Sequence, residues 1–341
     1  MQLLNNTKFI TECIPLQDKE GDCLTVISKG TFIMTPNSIQ LAGEQLPLLF
    51  GDKFHDDADP PIIKYESDIV PFKPATDILL EGSAHAPRGK KARVLDTILK
   101  VGSKTKKVRV FGNRKWVYSG MMIPEYISKP EPFNIIPLTS NRAFGGIDVR
   151  GGGYCNENIT GTGFFSKKSK KAVNNTPLPN IEHPGMLIKK CMDHPKPTGY
   201  GVYARSWAPR LGYAGTYDEK WRKNQSPNLP DDFDYRFYNA AYPDLQVNGF
   251  LKGNEDIELL NLSPHGPIKF DLPGFQLSAE VHFNDEKIPE KLSQTMQLDT
   301  LCLIPDNSLL YMVWRCRFST VTRPMETIRK IIIEKSILSR A

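Results

Sequence analysis

Along much of the chain apolar residues recur at every second position in short runs, and the runs stop at proline, glycine or asparagine. Residues 22–34 read as a strand, with Leu24, Val26 and Ser28 on one face and Thr25, Ile27 and Lys29 on the other. A short apolar strand is expected at 78–80, between proline corners. Residues 93–101 and 106–112 read as the arms of a hairpin around Gly102-Ser103-Lys104-Thr105, with Val108 and Val110 inward and Lys107 and Arg109 outward. Further strands are expected at 256–262, 268–272 and 276–283. Two more, 298–304 and 309–318, flank the turn Pro305-Asp306-Asn307-Ser308. After Pro324 the spacing changes. Met325, Ile328, Ile332 and Lys335 share one helical stripe, which predicts an amphipathic helix over 323–341.

Residues 207–246 break the pattern. Trp207, Tyr213, Tyr217, Trp221, Phe233, Tyr235, Phe237, Tyr238 and Tyr242 crowd into one stretch, and Pro209, Pro227, Pro230 and Pro243 forbid a long helix through them. Rings of this kind bury about 150–250 Å² each, so the stretch reads as irregular and largely buried.

Proline is over-represented, at 27 of 341 residues, and it is spread through the chain. That spacing favours short strands joined by defined loops. The expected fold is mainly β: an antiparallel sandwich or barrel-like scaffold with long irregular loops and a C-terminal α-helix. Residues 1–322 are expected to form one β-rich domain, with room for two lobes at about 1–140 and 141–322. The N-terminus lacks the pattern of a signal peptide, and no apolar run approaches the ~20 residues of a membrane span. Six sparse cysteines read as reduced thiols of a cytoplasmic protein.

Charge is concentrated in one place. Residues 88–115 hold eleven Lys or Arg and the single acid Asp96, whereas the rest of the chain holds 33 basic and 37 acidic residues. Aromatic residues are not interleaved with that basic hairpin, so nucleic acid is an unlikely partner. A solvated strand face or the attraction of an acidic protein surface fits better.

The glycines of 143–163 match neither nucleotide-binding spacing, and positive φ with close backbone approach explains them better. Asp52, Asp56, Asp57 and Asp59 lack the order of a calcium loop and read as a solvated acidic loop. The run 166–171 reads as an exposed lysine-rich loop. His183, Cys191 and His194 match no common zinc pattern. No metal, cofactor or catalytic motif is expected. The best catalytic case is a glycan-directed hydrolase using Asp218 and Asp232, but Arg210, Arg222 and Arg236 in the same stretch offer the acids ordinary ion pairs.

An ordered set of short motifs carries a resemblance. It comprises K-P-A-T-D (73–77), G-S-A-H-A-P (82–87), G-N-R-K-W (112–116), P-F-N-I-I-P-L (132–138) and A-F-G-G (143–146). It continues with L-P-N-I-E (178–182), G-T-Y-D-E-K-W (215–221), L-P-D-D-F-D (229–234), L-D-T-L-C-L-I-P-D (298–306) and V-W-R (313–315). The chain resembles bacterial type VI secretion accessory proteins, once known only as a domain of unknown function and later as effector adaptors or chaperones. Two positions depart from that pattern: Asn113, where an aspartate is usual, and N-E-N-I-T-G-T-G, where N-P-x-G-x-G is usual. The resemblance implies a non-enzymatic cytoplasmic protein that keeps a toxic effector soluble and helps mount it on a VgrG-type spike or PAAR-type spike-tip protein. Candidate contacts are Lys104, Lys106, Lys107 and Arg109 on the basic hairpin, with Trp116, Arg210, Tyr217, Trp221 and Arg236 as aromatic and guanidinium anchors.

Overall fold

In the computed structural model, residues 1–56, 60–87, 90–118, 125–167, 173–284 and 291–338 are described. Asp57 and Asp59, Arg88, residues 168–171 of the lysine-rich loop and the tail beyond 338 lie outside them. The fold is mainly β. Its largest sheet curls into a half-barrel in the order Gln2–Asn5, Ile328–Ile337, Phe275–Phe283, Lys291–Ile304, Leu309–Ser319, Gly21–Thr35 and Ile10–Asp18. Ala75–Leu80 runs parallel to the second half of Lys291–Ile304 and carries Gln246–Asn248 on its other side. A second sheet has the order Ile181–Glu182, Lys104–Phe111, Val94–Val101, Asp256–Leu260 and Ile268–Asp271. Both sheets draw strands from before and after residue 140.

The strands form where the alternation placed them, with two-residue turns tighter than expected. The basic hairpin turns at Gly102-Ser103, and its register pairs Arg109 with Asp96. Gly21–Thr35 is buried on both faces, and on one of them the Phe9 ring stacks on Trp314 at 5.3 Å and meets Phe32 at 6.0 Å. Gly30 makes that approach possible, since a Cβ there would lie 2.9 Å from the Phe9 ring.

The tail is a strand, not the expected helix. Ile328–Ile337 pairs antiparallel with Phe275–Phe283 and parallel with Gln2–Asn5. Ile331 and Ile333, two positions apart, are fully buried, while Ile332 between them is half-buried. The i, i+4 stripe was misleading because Ile328, Ile331, Ile332 and Ile333 are β-branched and suit a pleated surface with two open edges to fill.

Buried charges are joined in one chain of contacts. Lys29 donates to Asp68 at 2.9 Å and lies over the Tyr311 ring. Arg315 donates to the carbonyls of Asp68 and Val70 and, at 2.5 Å, to Asp299. The Thr300 hydroxyl donates to Asp299 and accepts from Lys73. Lys73 also donates to Asp77 at 2.8 Å. The carboxylate of Asp77, wholly buried, accepts in addition from the Asn239 amide and the backbone N–H groups of Ala240 and Ala241.

The aromatic stretch is irregular, as expected, and packs around such anchors. It contains 3₁₀ turns at Arg210–Ala214, Tyr235–Tyr238 and Pro243–Leu245 and one short helix, Glu219–Asn224. Trp207, Phe233 and Tyr242 are buried, but Tyr217 is exposed and the other rings are half-buried, so the stretch is less enclosed than its composition suggests.

Just past Ala75–Leu80, Glu81 meets the small hairpin formed by Lys53–Phe54 and Ile63–Tyr65, with His55 at 3.7 Å and Lys64 at 4.0 Å. Burial pushes its carboxyl up to about 7; Lys64 opposes the shift and Asp306 adds to it.

Four outcomes test this description. Asp77→Ala strands the Lys73 ammonium and three N–H donors, and should cost roughly 3–5 kcal/mol in urea unfolding. The exposed helix cap Asp218→Ala should cost only about 1 kcal/mol. Ile333→Ala should cost about 2–5 kcal/mol and Ile332→Ala clearly less; a helical tail would not rank them so. For Glu81, the folded state holds its proton up to a higher pH than the unfolded state, so stability falls as pH rises from about 4.5 to about 7. Relative to Glu81→Gln, the wild type should lose roughly 2–3 kcal/mol across that window, and a flat difference would refute burial as the cause.

Candidate functional site

Beside the Glu81 hairpin lies an apolar groove of about 340 Å³. One wall is Phe54 with Pro60, Pro61, Ile62 and Ile63. The two prolines fix their own φ and offer no N–H, which keeps that wall extended. The floor is Val202, Ala204 and Trp207, held by edge-to-face packing of Tyr203 against Trp207 and Tyr242 at 5.3 and 5.1 Å.

The opposite wall comes from the glycine-rich segment. Gly145 and Gly146 adopt φ of 150° and 101°, and a Cβ on Gly145 would lie 2.1 Å from the Asn158 carbonyl oxygen, as the sequence suggested. Asn158 is buried, and its side-chain amide donates to the carbonyls of Ser140 and Phe144. This pins Ile159 beside Ile147. The carboxylate of Asp148 accepts from the N–H groups of Arg150, Gly151 and Ser166 and from the Ser166 hydroxyl; those bonds, led by Gly151, hold it below the usual carboxylate range. Its charge is therefore turned into the loop, and Ile147, Val149 and Tyr154 are turned out. Phe54 is 48%, Ile147 58% and Val149 89% exposed. Among the described residues, no charged side chain lines the groove. Apolar side chains held outward by satisfied polar turns mark a surface suited to another macromolecule.

Most of the expected contact residues have other work. Lys106 shares the inward parity of Val108 and is buried: it donates to Asp244 at 2.8 Å, lies 4.4 Å over the Tyr242 ring, and is pushed by burial down to about 8. Lys107 and Arg109 bracket Asp96 at 2.8 and 2.7 Å, and bonds from Arg109 first, then Lys107, hold Asp96 down to about 2. Lys104 sits half-buried at the hairpin tip. Trp116 is 1% exposed, inside a satellite core with Phe144, Phe165 and Leu178. The Arg210 guanidinium is buried, bonded to both carboxylate oxygens of Glu66 and to the carbonyls of Tyr203 and Phe237. Tyr217, Trp221 and Arg236 do reach the surface. Tyr217 packs edge-on to Trp221 at 4.6 Å, and Arg236 pairs with Asp234 over the Tyr213 ring.

The acids proposed for glycan chemistry serve the local fold. Asp218 caps the helix by accepting from the Trp221 N–H. Asp232 accepts from the N–H and hydroxyl of Thr216, first of all the N–H, which lowers its pKa; a general acid needs the opposite shift. The ring nitrogens of His183 and His194 are engaged by the Gly185 N–H and the Phe165 carbonyl. Among the described residues no three His, Cys, Asp or Glu side chains gather as metal ligands. No described helix is long and apolar enough to cross a membrane.

Sequence reasoning missed the groove. The available signal was Ile147, Val149, Tyr154 and Ile159, apolar residues inside a loop otherwise made of glycine and polar residues.

Some of the quoted motifs meet one another inside the fold. Arg114 of G-N-R-K-W is ion-paired with Glu182 of L-P-N-I-E, and Asn113 accepts from Asn180 of the same motif at 3.2 Å. Asp299 pairs with Arg315 of V-W-R, and Lys73 with Asp77 within K-P-A-T-D. No curated protein and no solved structure matches the chain. A family model does match, over residues 19–315, described as an uncharacterized protein conserved in bacteria. The chain therefore belongs to that bacterial family, DUF2169.

Proposed function

We propose that this protein is an adaptor that binds another polypeptide in the bacterial cytoplasm, keeps it soluble, and presents it for secretion. The partner class is a toxic effector of a type VI secretion system, and the delivery partner is its VgrG-type spike or PAAR-type tip protein. One observation carries the binding role: the apolar groove between Phe54, Ile147 and Ile159, whose walls are fixed by prolines and by the hydrogen bonds of Asn158 and Asp148. The motif resemblance supplies the secretion context.

Physically, such a site works by desolvation. Apolar side chains of an effector enter the groove, while the exposed Tyr217 and half-buried Trp221 offer aromatic anchors elsewhere on the surface. With Lys107 and Arg109 paired to Asp96, the basic hairpin influences encounter more than affinity.

Co-expression with the product of a neighbouring toxin gene tests this. The wild type should raise the soluble yield of that product and co-elute with it. Phe54→Lys combined with Ile147→Lys should weaken capture by about tenfold or more, with the melting temperature unchanged because both side chains are already exposed. Normal capture by that double variant, or no gain in soluble yield with the wild type, would overturn the reading.

A further inference from the structure

Two long neighbouring strands of the half-barrel separate at one point. Leu309–Ser319 pairs with Gly21–Thr35 along its whole length, from Leu309 opposite Ile33 to Ser319 opposite Cys23. On its other edge it pairs with Lys291–Ile304 only as far as Gln297 opposite Arg315. Residues 291–296 turn instead to Phe275–Phe283. The register shifts between Leu298 and Thr300, and the intervening Asp299 is fixed by Arg315 and Thr300. Beyond it, the edge formed by residues 316–319 pairs with no described strand.

Two cavities occupy this seam, of about 240 and 230 Å³, and both are lined by Gln294 and Arg317. The first adds Phe72 and Phe250, beside the charge-paired Arg315. The second adds Asp18, Glu20 and Asp22. Arg317 is bonded to Asp18 and Glu20, which leaves the second cavity with three carboxylates against one guanidinium. Lys19 does not redress the balance, because its ammonium is bound to the carbonyls of Asp231 and Phe233.

We propose that this seam receives an extended segment of a partner polypeptide, added as a strand along residues 316–319, with a Lys or Arg side chain placed among Asp18, Glu20 and Asp22. An unpaired strand edge supplies N–H and C=O groups that any extended chain satisfies. The surplus negative charge selects a basic side chain and repels an acidic one. A second side chain of the same segment reaches Phe72 and Phe250. The inference rests on the reading of the protein as a polypeptide binder, but it uses other residues than the groove.

The probe is a pool of end-capped octapeptides of alternating Val and Thr with one central Lys, compared with the same pool carrying Glu. The Lys pool should slow amide hydrogen exchange at 316–319 by about tenfold or more, and the Glu pool should not. Methylation of the peptide backbone nitrogens, or Glu20→Lys with Asp22→Lys in the protein, should abolish the effect. Both substituted residues are exposed, so the fold is preserved. No protection by the Lys pool, protection that survives the charge reversal, or amides at 316–319 already as slow as those of 24–28 in the free protein would overturn the proposal. Phe54→Lys with Ile147→Lys leaves peptide addition intact, so failure of effector capture and failure of strand addition are read separately.

Discussion

The fold depends on an ionised carboxylate sealed from water. Asp77 is stable there because an ammonium, a side-chain amide and two backbone N–H groups converge on it. The donors come from two segments. Lys73 orients the entry to the strand Ala75–Leu80, and residues 239–241 bring in the end of the aromatic stretch. Through Thr300 and Asp299 the same network reaches Arg315, and through the Asp68 residue it reaches Lys29. Breaking one partner leaves an uncompensated charge, so these segments tolerate little independent movement. Hydrophobic burial drives the sheets together, and this network selects which registers are compatible with it.

Strand positions were legible because alternation is a direct imprint of the pleat: Val108 and Val110 went inward and the Pro305–Ser308 turn joined its two arms. The tail was misread because a period of 3.6 can be traced through Met325, Ile328, Ile332 and Lys335, although the branched isoleucines in and beside that stripe favour a strand. Lys106 was misread for a different reason. Parity alone placed it inward with Val108, but a lysine among surface lysines suggests solvent, and only the tertiary position of Asp244 and Tyr242 makes its burial tolerable. Long-range partners of this kind are invisible to local pattern. So was the groove, which is assembled from Phe54 and residues 60–63, 140–160 and 202–207.

The motifs of the resemblance are therefore best understood as the frame. Three pairs of their charged residues meet inside: Arg114 with Glu182, Asp299 with Arg315, Lys73 with Asp77. A contact surface must differ from partner to partner, whereas a frame must not. The exposed apolar residues lie chiefly in loops around that frame, where substitution disturbs little of the packing beneath.

The pairing of Gln2–Asn5 with Ile328–Ile337 has a consequence for biosynthesis. Gln2–Asn5 leaves the ribosome long before Ile328–Ile337 is made, so it waits unpaired while the intervening chain is synthesised. Loop closure over such a span is slow, and intermediates with open strand edges are prone to associate. The half-barrel thus closes only once Ile328–Ile337 has been synthesised, and until then its open strand edges are available to associate.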